Sequence, residues 1–220
     1  MTGELALPAL RARQNLREEI TQTLRAAVIS GELRPGVVYS APSLATQFGV
    51  SATPVREAML DLAGEGLVDV VRNKGFRVTE LSEKDLDELS ELRALIEVPT
   101  VRRIAEAGVP ADVLAALRPL AAEIESAAAR GDLIAHVAAD MEFHLRLLAL
   151  AGNAHLVETV RSLRARSRIY GLRSLADRGA LVPSAHEHAE LLDLLAARDA
   201  AGAERLMRRH IAHVRTIWAE

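Results

Sequence analysis

Asp140 and His144 stand four residues apart, with His136 four residues further back. On a helix such positions project from one face, so a carboxylate and an imidazole are offered at one point, the pairing that a divalent cation takes. His188 lies among Leu191, Leu192 and Leu195, and His210 beside Met207 and Ile211. If these apolar faces pack together, three helices converge on one ion. All seven histidines lie after residue 130, and the chain has no cysteine, so any metal site must use nitrogen and oxygen. Spacing alone leaves the alternative open that these are half-buried or solvated helix histidines with no ligand role.

The elements that must carry these residues are helical. Half of the 220 residues are hydrophobic and only 3% are aromatic, with alanine, leucine, arginine and glutamate dominant. That balance supports a sizeable core built from packed helices, and the fold class expected is mainly α. No apolar run is long enough to cross a membrane, and no basic stretch leads into an apolar signal core, so a cytoplasmic protein without a membrane partner is expected. The net charge is -3, and residues 1 to 80 hold nine Lys and Arg against nine Asp and Glu. Nucleic-acid binding must therefore be argued from where charges sit and not from their sum.

Along the chain, Leu16, Ile20, Leu24, Ala27 and Val28 recur at helical steps until Gly31 and Arg34-Pro35-Gly36 end the pattern. A short helix is expected from about Ser43 to Phe48, closed by Gly49. Ser51-Ala52-Thr53-Pro54 opens a third, with a hydroxyl able to cap it and Val55, Met59 and Leu62 facing inward. Val68, Val70, Phe76 and Val78 then alternate on either side of Asn73-Lys74-Gly75, which predicts a hairpin. Three helices and a hairpin make a winged helix-turn-helix, expected over 10–79 with the helix-turn-helix at about 43–63 and the wing at about 67–79. From 82 to 220 the period is helical, interrupted near Gly108-Val109-Pro110, Gly131-Asp132, Gly152-Asn153, Pro183 and Arg198-Asp199. Six helices with short connections predict an antiparallel bundle in which consecutive helices pack, an architecture able to hold a ligand.

Ser51, Thr53 and Arg56 occupy the exposed first turns of the third helix, where groove-reading donors are needed. Arg72, Lys74 and Arg77 flank the hairpin turn, placed to follow a phosphate backbone or enter the minor groove. Each alone reads equally well as a solvated charge; together with the topology they point to double-stranded DNA.

Gly49-Val50-Ser51, Thr53-Pro54-Val55-Arg56-Glu57-Ala58, Glu65-Gly66-Leu67-Val68 and Gly75 resemble the signature of GntR-type regulators. The helical remainder looks like the C-terminal domain of the FadR subfamily, in the FCD branch. The resemblance implies that Arg56 is the recognition-helix arginine and that Lys74 and Gly75 form the wing tip. Pro42 and Ala52 depart from it, standing where many members carry arginines, so an operator preference does not transfer. It also implies a divalent ion held by Asp140, His144, His188 and His210. Zinc is expected first, with nickel and manganese also suited, and one or two positions remain for water or a carboxylate effector. Arg93 looks like the first-helix arginine that faces the pocket, although on spacing it is equally an exposed partner of Glu97 four residues on.

An open coordination position serves either hydrolysis or ligand sensing. Hydrolysis wants a general base nearby, yet helical spacing turns Glu142 and Glu187 away, and His186-Glu187-His188 lacks the four-residue histidine step of a zinc-protease helix. The expectation is therefore a sensor and not an enzyme: a homodimer on an inverted-repeat operator, acting as a repressor released by a small organic acid. The rivals are a metal-dependent hydrolase carrying a DNA-binding domain and an architectural DNA-binding protein with no effector.

Overall fold

The computed structural model describes residues 11–177 and 181–216, with side chains over 16–29, 31–167 and 181–213. Residue 10, where the first domain was expected to begin, lies outside them. The chain divides at Thr79 into two compact units.

The first unit runs α1 (Arg11–Ser30), β1 (Val38–Tyr39), α2 (Ala41–Phe48), α3 (Ala52–Gly64), β2 (Val68–Val71) and β3 (Gly75–Val78). Helix α2 starts two residues ahead of the expected Ser43. Ser40 caps it by accepting from the Ser43 amide at 3.2 Å, and Pro42 sits in the first turn, where its missing N–H costs nothing. Gly49, at φ 65°, ends α2 in the left-handed conformation with its amide on the Ala45 and Thr46 carbonyls. Ser51 is the N-cap residue of α3, but its hydroxyl makes no cap bond. Leu24, Val28, Leu44, Val55, Met59, Leu62, Val68, Phe76 and Val78 form the core. Arg17 and Arg25 of α1 are spent on Asp61 and Glu65, which bind α1 to the back of α3.

The sheet has three antiparallel strands in the order β1-β3-β2, one more than the hairpin read from sequence. Strand β1 escapes local patterning because two residues cannot show a period. Its register puts Tyr39 opposite Phe76 and so brings backbone onto Gly75, where a Cβ would lie 2.3 Å from the Tyr39 carbonyl oxygen. Glycine at 75 is thus demanded by the close strand approach. Val70 is paired with the buried Phe76, yet on the edge strand β2 it is 60% exposed, contrary to the inward position expected of it.

The second unit consists of α4 (Glu83–Ala107), α5 (Ala111–Arg130), α6 (Leu133–Ala149), α7 (Ala154–Asp177), α8 (Leu181–Ala196) and α9 (Ala200–Thr216). Ser82 and Asp85 form a capping box at the start of α4, and Asp132 caps α6 through the Ala135 amide. Pro183 stands just past the interruption expected near it, which falls between α7 and α8. It is the third residue of α8, inside the turn whose amides have no intrahelical acceptor. Consecutive packing holds for α5 with α6, α6 with α7 and α8 with α9, but α4 lies against α9 and α7 and not against α5. Gly108, at φ 84° and ψ 139°, turns the chain off α4, and its approach to the Arg198 guanidinium seats that connection on the α8–α9 turn.

A buried histidine–carboxylate cluster and an exposed cationic face

Asp140 and His144 come from α6, His188 from α8 and His210 from α9, and all four are between 1% and 4% exposed. One ligand atom from each lies within 4.8 Å of all the others. Nε2 of His188 is 3.1 Å from Asp140 Oδ1 and 3.1 Å from His144 Nε2, and His144 Nε2 is 3.7 Å from Asp140 Oδ1. Around a cation with bonds of roughly 2.0–2.1 Å, neighbouring ligand atoms stand roughly 3.0–3.4 Å apart, so the spacing suits a metal with only small adjustment.

Hydrogen bonds behind the rings fix which nitrogen faces inward. Nδ1 of His188 donates to the Ala185 carbonyl at 2.9 Å, and Nδ1 of His210 donates to Glu187 Oε2 at 2.8 Å. With Nδ1 held in this way, each ring turns its Nε2 edge toward the cluster. Burial holds His210 down at about 4, against the opposing pull of Glu187. His144 is pushed well below the ordinary histidine range by burial and by the Arg164 charge, and its buried Nδ1 has no partner. Three imidazoles and a carboxylate thus converge in a water-poor interior, a donor set of nitrogen and oxygen that a divalent cation could share.

Around the cluster lies a layer that sequence reading did not find. Arg164 of α7 donates from Nη1 to Asp140 Oδ2 at 3.1 Å and from Nε to Glu97 Oε2 at 3.0 Å. Glu97 also accepts from Arg93 Nε at 2.8 Å, and all three side chains are fully buried. Burial works to raise the Glu97 carboxyl, but the Arg164 and Arg93 charges outweigh it and hold the group below its usual range. A signal for Arg164 did exist: it falls within the inward stripe of Val160, Leu163 and Ser167. Glu187 is the second omission. Instead of facing elsewhere it is buried behind His210, and hydrogen bonds from His210, His213 and Arg209 overcome the burial cost and depress its carboxyl.

Of the remaining histidines, His213 shares Glu187 with His210, and the other three are not among the converging ligands. His136 is buried with Nδ1 3.1 Å from the Ile124 carbonyl, His186 is exposed beside Glu125, and His155 is exposed in the first turn of α7. Glu142 takes Arg146 on the outer side of α6, turned away from the cluster as expected. The Arg93–Glu97 pair forms, but in the interior and not on an exposed face. Arg93 Nη2 is left with no partner, as is Ser90 Oγ one turn earlier.

In the first unit, Ser51 precedes α3 while Thr53 and Arg56 lie in its opening turns, and all three are exposed. Arg72 and Lys74 lie in the β2–β3 turn, with Asn73 at φ 60°, and Arg77 points outward from β3. None of these four cations forms an ion pair with a described residue, in contrast to Arg17 and Arg25. The unneutralised positive charge of this unit's described side chains is thus concentrated on the start of α3 and on the wing, with Arg34 the other cation free of an ion pair.

Residues 16–78 match the family described as bacterial regulatory proteins, gntR family, and residues 88–213 match the FCD domain. The HTH-type transcriptional repressor GlaR of Escherichia coli is 32% identical over 200 residues, covering 86% of this chain and 89% of that one. This chain is a GntR-family transcriptional regulator with an FCD domain. The Nta operon transcriptional regulator of Aminobacter aminovorans is 36% identical over 142 residues, or 64% of this chain and 66% of that regulator. Among solved structures, E. coli McbR/YncC matches with a TM-score of 0.72 at 27% identity, covering 91% of this chain and 97% of that one. The helix-turn-helix and wing of this regulator fall in its GntR segment, and all four cluster residues fall in its FCD segment. Among the described residues no helix is long and apolar enough to cross a membrane.

Proposed function

We propose that this regulator is a cytoplasmic, homodimeric repressor that binds an inverted-repeat operator and is released when a small carboxylate enters a metal-bearing pocket in its FCD domain. The carrying observation is the convergence of Asp140, His144, His188 and His210, all buried, to within 4.8 Å. Bound there, a divalent ion, zinc first among the candidates, supplies a Lewis-acidic position for an acid ligand. Arg93, with one buried donor unclaimed, offers a second anchor of matching charge. The two glutamates weighed as general bases are engaged, Glu187 by three donors and Glu142 by Arg146, which supports the sensing reading. Elemental analysis of untagged protein, beside Asp140→Ala and His188→Ala, tests the site. About one equivalent of metal per chain, lost in both variants, supports it; metal-free protein even after reconstitution sinks it.

The DNA half of the proposal rests on Ser51, Thr53, Arg56, Arg72 and Lys74, with Gly75 shaping the wing. A single recognition helix reads too few base pairs to be selective, so two are needed, about one helical turn apart. Arg56→Ala should weaken operator binding by about 1–3 kcal/mol and blunt discrimination at one base position. Lys74→Ala should instead weaken binding to all sequences alike and lower the salt slope by about one. Fluorescence anisotropy over a salt series separates the two, and an unchanged operator affinity in Arg56→Ala would misplace the recognition helix. Release by ligand needs a coupling of only about 1–3 kcal/mol between the DNA-competent and incompetent states.

A further inference from the structure

Helix α4 is the longest among the described residues, and only part of its circumference is covered. Leu86, Leu89, Arg93, Glu97, Val98, Val101 and Ile104 face the bundle, while Glu88, Leu92, Leu95, Pro99 and Arg103 are exposed. These five recur at steps of four, three, four and four residues and so form one stripe along the helix. Leu92 is 46% and Leu95 66% exposed, Leu95 being the most exposed large apolar residue described. An apolar centre of this kind on a charged helix marks a contact surface.

The order of residues in the stripe identifies what covers it. Acidic Glu88 leads, apolar residues fill the middle and basic Arg103 closes it, so the stripe is complementary to its own reverse. A two-fold axis between Leu95 and Ile96 sets Leu92 opposite Pro99 and Glu88 opposite Arg103, twice over. Parallel pairing would oppose like charges at both ends. Arg103 forms no ion pair with a described residue, whereas its neighbour Arg102 is held by Glu106 and Glu204; Glu88 meets only the solvent-exposed Lys84, at 3.0 Å, a pair easily exchanged for another. We infer that α4 packs antiparallel on α4 of a second copy of this chain, with Leu92, Leu95 and Pro99 at the centre of the seam and Glu88–Arg103 pairs at its ends. This inference rests on the homodimer reading above and names the surface responsible.

Sedimentation equilibrium on the full chain tests it, with circular dichroism confirming that each variant keeps its helix content. Wild type should be dimeric, and Leu95→Asp, placing two carboxylates beside the axis, should raise the dimer dissociation constant at least about thirty-fold. Glu88→Arg and Arg103→Glu should each weaken the dimer about ten-fold, and the double reversal should recover most of that loss. A Leu95→Asp protein that dimerises like wild type overturns the α4 seam while leaving a dimer in place. A double reversal as weak as the single ones overturns the antiparallel register. A monomeric wild type overturns both the seam and the dimer reading.

Discussion

Arg164→Met should lower the unfolding free energy of the FCD unit by about 3–5 kcal/mol, the cost of stripping a partner from a buried ion network. Arg164 is fully buried and serves two carboxylates, Glu97 and Asp140, at once. The variant leaves Glu97 to Arg93 alone and removes the donor on Asp140 Oδ2. Removing one member is costly because the remaining charges stay out of water; removing an acid with its base is much less so. The double variant Glu97→Leu/Arg164→Leu should therefore be more stable than the sum of its single variants, with a coupling of about 0.5–3 kcal/mol. Denaturant unfolding followed on the FCD unit reads all four corners of this cycle. A loss below about 1 kcal/mol in Arg164→Met would mean that water reaches the guanidinium, and the interior network drawn here would be wrong.

Local chemistry wrote most of the architecture into the sequence. Gly49 needs a left-handed cap, Pro54 tolerates only a first turn, and the Asn73-Lys74-Gly75 turn separates two apolar alternations, so α2, α3 and the hairpin could be placed from single residues and their spacing. What stayed hidden depended on partners far away in sequence. Strand β1 exists because Tyr39 meets Phe76, and two residues carry no pattern of their own. The interruption near Pro183 was legible, but nothing local shows that α8 starts two residues before the proline. In the cluster, the i to i+4 step of Asp140 and His144 was legible, but their meeting with His188 and His210 is tertiary: the apolar faces allowed it and the family resemblance implied it. The charged layer behind them was harder still. Arg164 reaches Glu97 across 67 residues, and α7 offers several arginines of which only the inward stripe singles out this one. Glu187 was misread because adjacency to His188 on α8 says nothing of its partner His210 on α9.

If the proposed ion occupies the cluster, removing it should lower the unfolding transition of the FCD unit and leave the GntR unit's transition in place. An ion bound only by the folded chain adds stability as its concentration rises above the dissociation constant, about 4.1 kcal/mol at a thousand-fold excess. Thermal unfolding with and without chelator should thus show a lowered transition for the wild-type FCD unit. Asp140→Ala should already sit low and fail to respond. In metal-free protein a pH dependence follows, with its sign set by burial. His210 is held at about 4 in the folded chain, below the ordinary 6.5, so the unfolded chain takes up the proton first. Stability is complete above about 6.5 and falls as the pH drops from there toward about 4. His144, depressed by the same burial, acts in the same direction. Bound metal should shift this acid transition to lower pH, since protons and cation compete for the same lone pairs. If chelator leaves the wild-type melting curve unchanged in protein shown to contain the ion, the metal does not hold α6, α8 and α9 together. Its role would then be confined to receiving the acid ligand.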